Sequence, residues 1–206
     1  MQGPVKFAIA WAGPAKIWLV VVCIGIARLL CGATIQVTNT ADSGPGSFRQ
    51  AIVTANSNSV PSTIVFQISG TAPFTITPLS ALPAITDPVV IDATTQSGYA
   101  GKPVIELNGA STSGSTVGLR FTIGSSTLRG IAINRFPVQA IVLEGPSNII
   151  QGNFIGTDVT GTIQRDNGSY AIWVESTGNL IGGTNAGNGN VISAGNTARL
   201  REKFGS

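Results

Sequence analysis

Two glutamates and a tryptophan make the most chemically suggestive arrangement in this chain. Glu144 closes the stretch AIVLE (140–144), and Glu175 closes AIWVE (171–175). Each stands three residues after a matched isoleucine, Ile141 or Ile172. If the two stretches lie side by side as parallel strands, the carboxylates come within about one strand spacing, ~5 Å. Two carboxylates at that separation suit retaining glycoside hydrolysis. They could instead coordinate Ca²⁺, the one cofactor the residues leave open. Trp173 points to the same side and could stack on a sugar ring. The plainer alternative is a solvated face whose like charges are eased by Arg120 or by a bound cation.

Other chemistry finds less support. The chain has no histidine, which removes the commonest general base and metal ligand. Arg129, Arg135 and Arg165 could serve elimination chemistry, but spacing places no acidic cluster beside them. Asp158 and Asp166 bracket the polar stretch TDVTGTIQRDNGS (157–169), and Asp158 in GTDVTG reads as a turn-former. The glycine-rich GGTNAGNGN (182–190) lacks the Gly-Lys-Ser/Thr of a phosphate loop and the Asp of a Ca²⁺-binding nonapeptide. It reads as a corner and a loop.

The pairing of Glu144 with Glu175 depends on a repeat. Leu119, Ile141 and Ile172 each begin an apolar stretch, and nine residues on stand Leu128, Ile150 and Ile181. Gly130, Gly152 and Gly183 follow two residues later, at steps of 22 and 31. GIAI (130–133), GNFI (152–155) and GNVI (189–192) mark another matched strand. The longer step contains 157–169, which reads as an inserted loop. Short strands repeated at this interval predict a solenoid. In it, isoleucines stack inside and asparagines at the corners, Asn148 on Asn179. Ile141 and Leu143 are expected inside, Val142 and Glu144 outside.

Upstream, TIQVT (34–38), STIVFQI (62–68), PFTIT (73–77), PVVIDAT (88–94) and PVIELNG (103–109) read as strands separated by Pro and Gly. SFRQAIVTANS reads as a short helix, with Ser47 and Gln50 spaced as a capping box. Phe48, Ala51, Ile52 and Ala55 form its apolar face. Such a helix would blunt the open N-terminal edge of a stack.

The first 33 residues differ in kind. Lys6 and Lys16 precede the apolar run IWLVVVCIGIA (17–27), and a small-residue end follows. At 11 residues the run is short for a membrane span, and the pattern fits a secretory signal peptide. A retained N-terminal anchor is the alternative, and only then would the membrane be a partner. Cleavage would remove both cysteines, Cys23 and Cys31, and with them any disulfide. It would also leave nine basic residues against nine acidic ones, so the net charge of +3 belongs to the uncleaved chain. No basic patch points to nucleic acid.

VTNTADSGPGSFRQAI (37–52) resembles the N-terminal motif of secreted bacterial proteins in which a DSGxGSLRQAI turn precedes parallel β-helix repeats. Phe48 replaces the usual Leu. ITDPVVIDATTQSGYAGKPVIELNG (85–109) and NIIQGNFIGTDVTGT (148–162) resemble the body of the same family. The resemblance covers roughly 34–196. It implies an all-β, right-handed parallel β-helix of the pectate-lyase-like superfamily, exported and surface-associated, with no single activity.

The expected organisation is a leader at 1–33, a strand and capping helix at 34–60, β-helix coils at 61–196 and an out-of-pattern tail, TARLREKFGS, at 197–206. That tail reads either as the end of a truncated product or as a short C-terminal cap. The function expected is a secreted or cell-surface structural or adhesion module without catalysis. Its partner would be a polysaccharide or cell-surface glycan, contacted by Glu144, Glu175 and Trp173. The alternative is a carbohydrate-active lyase or hydrolase, or its remnant.

Overall fold

The computed structural model describes residues 32–193 and 200–202. The leader lies outside the described residues except for Gly32 and Ala33, and both cysteines fall outside too. Among the described residues no helix is long and apolar enough to cross a membrane.

The short strands form three sheets. Sheet I joins β1 (Thr34–Val37), β2 (Ser62–Phe66), β4 (Val89–Asp92), β7 (Thr127–Arg129), β10 (Ile149–Gln151) and β13 (Leu180–Ile181), in that order. Sheet II runs through β3 (Phe74–Ile76), β5 (Ile105–Asn108), β8 (Ile131–Asn134), β11 (Phe154–Ile155) and β14 (Val191–Ile192). Sheet III holds β6 (Leu119–Phe121), β9 (Gln139–Leu143), β12 (Tyr170–Val174) and β15 (Leu200–Glu202). All strand pairings in the three sheets are parallel. From β4 onward the chain visits sheets I, II and III in turn and adds one neighbouring strand to each on every round; the earlier strands β1, β2 and β3 enter sheets I and II alone. This predominantly β, all-parallel arrangement is compatible with a parallel β-helix, and it carries one short α-helix.

The register is the one the repeat predicts. Leu119 pairs with Ile141, and Ile141 with Ile172. Leu128 pairs with Ile150, and Ile150 with Ile181. Ala132 pairs with Phe154, and Phe154 with Val191. Inward rows such as Ile64–Ile91–Leu128–Ile150 are fully buried. Each such side chain contributes about 1.5–3 kcal/mol. β15 brings part of the expected out-of-pattern tail into sheet III. Leu200 takes the register position after Ile172, where an apolar residue belongs, and Glu202 pairs with Val174.

The corners are closed by asparagine amides. Asn148 Oδ1 accepts the Ser126 N–H at 2.9 Å, and Asn179 Oδ1 accepts the Asn148 N–H at 2.8 Å. Each Nδ2 donates to the carbonyl three residues earlier, Gly145 or Ser176. A second ladder repeats the device. Asn153 takes the Ile131 N–H and donates to Leu128 O, while Asn190 takes the Asn153 N–H and donates to Ile150 O. These corners bend the backbone out of the sheets, so its polar groups would otherwise be buried without partners.

Helix α1 (Phe48–Ala55) buries the four predicted residues, Phe48, Ala51, Ile52 and Ala55. It packs on β1 and β2, with the Phe48 and Phe66 rings 5.5 Å apart. Ser47 Oγ caps Gln50 N at 3.2 Å. The return half of the capping box is absent. Gln50 reaches Thr54, and the Ser47 N–H already donates to Gly44 O in a tight turn. Arg49 makes the stronger anchor. Its guanidinium binds Asp42 Oδ1 at 2.7 Å and donates to the carbonyls of Ser80 and Ala81. Asn56 fastens the other end of α1 to Ala84 O and Thr86 N.

Two predictions follow from this framework. Asn153→Ala strips partners from the Ile131 N–H and the Leu128 carbonyl, and should cost about 2–4 kcal/mol in urea unfolding. Asn190→Ala, on a less buried corner, should cost clearly less; equal losses would mean the ladder is not the source. The Arg49 hydrogen bond, against a smaller burial effect, holds the Asp42 carboxyl below its usual 3.8. Its contribution is therefore complete above that pH and is lost as pH falls through the lower folded value. Asp42→Asn should flatten the acid limb of a stability–pH curve, and an unchanged limb would exclude the clamp as its origin.

Candidate functional site

Sheet III positions the three residues singled out above. Its register sets Arg120, Val142 and Trp173 in one outward row. The ladder continues one residue further, because Glu144 N–H donates to Phe121 O and Glu175 N–H to Leu143 O, both at 2.8 Å. Glu144 and Glu175 therefore occupy equivalent places on adjacent rounds. Together with Trp173, Arg120, Gln139 and Val142 they line a cleft of about 270 Å³. Val142 belongs to the outward row as expected but is only 8% exposed, since the long neighbours in its row cover it.

The charges in this cleft are already engaged. Arg120 donates to Glu144 Oε1 from Nε at 2.8 Å and from Nη2 at 2.6 Å. That hydrogen bond and the Glu144 charge, with help from Glu175, raise the Arg120 pKa above its usual value. The Trp173 indole N–H donates to Glu175 Oε1 at 2.9 Å. The Tyr170 ring meets Trp173 edge-on at 4.9 Å and 78°, which braces the indole. What results is a cleft that holds one ion pair and one carboxylate hydrogen-bonded to an indole. Among the described residues no group of three or more His, Cys, Asp or Glu is placed to hold a metal. Ca²⁺ takes six to eight oxygens, and this cleft offers two carboxylates, one already paired with a cation.

The other residues weighed for chemistry do not converge. Arg129 lies on sheet I, Arg135 follows β8 and Arg165 sits in the 157–169 loop. Arg129 does have an acidic partner that spacing missed: its Nη2 donates to Asp92 Oδ2 at 2.5 Å. The two are register partners 37 residues apart, a step longer than the 22 and 31 that mark the later repeat.

The 157–169 loop is partly structural. The Thr157 carbonyl accepts from Asn134 Nδ2 at 2.8 Å, Asn167 Oδ1 takes the Phe136 N–H, and both loop residues are buried. Asp158 forms its turn, accepting from Thr160 Oγ1 and Ile163 N. Burial raises the Asp158 pKa, but these bonds outweigh it and hold the carboxyl low. In the 182–190 stretch, Asn188 O takes the Gly152 N–H and Asn190 turns a corner.

The Arg120–Glu144 pair is exposed, at 54% and 25% for the two side chains, so it should carry little of the fold's stability. Arg120→Ala is expected to change the unfolding free energy by less than about 1 kcal/mol. A larger loss in chemical denaturation would make the pair a structural element and not a feature of the cleft. No family model matches the chain, and no curated protein sequence matches it.

Proposed function

We propose that this chain is an exported, right-handed parallel β-helix that works at the cell surface as a non-catalytic glycan-contacting module. One observation carries this reading: Trp173, Glu175 and Glu144, chosen by their register, line a single cleft with Gln139 and Arg120. Sugar recognition needs an aromatic face beside planar hydrogen-bonding groups, and the cleft supplies both residue types.

The same geometry favours binding over hydrolysis. Glycoside hydrolysis needs one carboxyl to deliver a proton and the other to attack or to activate water. Glu144 is held in an ion pair by two Arg120 nitrogens, and Glu175 accepts the indole N–H. The basic-flanked apolar leader and the resemblance of residues 37–52 support export. The three parallel sheets, visited in a fixed order, support the β-helix.

The experiment is binding of the purified protein to an array of neutral, acidic and amino-sugar polysaccharides. Wild-type protein should bind at least one class. Trp173→Ala should weaken that binding about tenfold or more, and Glu175→Gln severalfold. Absence of binding across the array, or binding that neither variant alters, removes this cleft as the contact.

A further inference from the structure

A second cleft, of about 320 Å³, opens on the outer side of sheet I and owes nothing to the glutamate pair. Thr94, Tyr99, Arg129, Gln151, Gly130 and Gly152 contribute to its lining, and no acidic side chain does. We propose that it binds a single oxyanion group, a carboxylate, sulfate or phosphate, between the Arg129 guanidinium and the Tyr99 hydroxyl.

The arginine is held ready by the layer beneath it. Asp92 is 6% exposed. Its Oδ2 takes one Arg129 N–H, while its Oδ1 is fixed by Thr94 N at 3.1 Å and Thr94 Oγ1 at 2.6 Å. Among the described residues, the remaining guanidinium donors carry no hydrogen bond. Half of the Arg129 side chain stays exposed to the cleft, at 49%. A planar guanidinium anchored through one Nη2 donor offers its other donors to an oxyanion with part of its rotamer freedom already lost.

Tyr99 is placed by a shelf of two glycines. Gly130 and Gly152 follow register partners on β7 and β10 and have φ of +75° and +64°. A Cβ on Gly130 would meet the Tyr99 ring at 3.3 Å, and one on Gly152 would lie 3.8 Å from its hydroxyl. The ring therefore rests where side chains are missing on both rounds, with its hydroxyl over Gly152. Among the described residues that hydroxyl has no hydrogen-bond partner, so it is a second donor for the same ligand. Asp92 offsets the arginine's charge, so affinity comes from directed hydrogen bonds and should survive moderate salt.

The test is ¹⁵N-resolved NMR titration of the protein with sulfate, phosphate and acetate at constant ionic strength, with chloride as the control. Saturable shifts are expected at Arg129 Nε and at the Gly130 and Gly152 amides, and the tightest anion identifies which oxyanion the cleft prefers. Tyr99→Phe removes only a hydroxyl and should weaken binding about tenfold. Arg129→Gln should abolish it. Linear shifts matched by chloride, or saturable shifts that Tyr99→Phe leaves unchanged, would overturn the proposal. If Arg129→Gln fails to fold because it strands Asp92, the Tyr99→Phe result decides alone.

Discussion

A backbone that turns sharply inside a protein must find partners for the N–H groups it pulls out of the sheet. Here a side-chain amide from the next round supplies them. Asn148, Asn153, Asn179 and Asn190 each accept an N–H from the round before and return a donor to a nearby carbonyl. Where the row reaches an earlier round, Ser126 stands in for asparagine and its Oγ accepts the Val89 N–H. An unmet donor of this kind costs about 1–3 kcal/mol, so the corners fix which residue lies above which. Every outward row, including Arg120–Val142–Trp173, inherits its alignment from that requirement.

The two ends of the stack differ. At the N-terminal end α1 lies on β1 and β2, and Arg49 and Asn56 tie it to the segment 80–86. Arg49, and the Asp42 carboxylate that holds it, come from the DSGPGSFRQ stretch, so that motif has a mechanical task as a strap. At the other described end Leu180, Val191 and Ile192 are exposed at 47%, 38% and 39%. The buried row Leu107–Ile133–Ile155 of sheet II thus reaches solvent at Ile192, whereas Leu180 ends the half-buried outward row Val90–Thr127–Ile149 of sheet I.

Much of this was legible in the residues themselves. Leu119, Ile141 and Ile172 could be aligned because equal side chains stack on equal side chains, and the four-residue apolar face of α1 followed from helical spacing. The grouping of Glu144, Glu175 and Trp173 on one outward face followed from the same alignment, although the cleft they line did not. Asp92 and Arg129 escaped because the round between them carries extra chain, which breaks the period although the strands still pair. Tyr99 escaped for a related reason: its ring lies close against Gly130, where a Cβ would crowd it, and glycine at a corner reads the same whether or not a ring lies upon it. The 157–169 stretch read as a polar inserted loop. The burial of Thr157 and Asn167 near its two ends depends on amides of Asn134 and Asn167 that composition alone cannot aim.

Asn148 and Asn179 are 31 residues apart, Asn153 and Asn190 are 37 apart, and both pairs make equivalent bonds. Height in the stack is therefore counted in corners and not in residues. Chain inserted between two corners changes the contour length while leaving the address of every later side chain untouched. Duplication or loss of one whole round would shift all later addresses by one storey and still join matching surfaces. Such a molecule can vary its loops and its length on separate schedules, one by small insertions and the other in units of a full circuit.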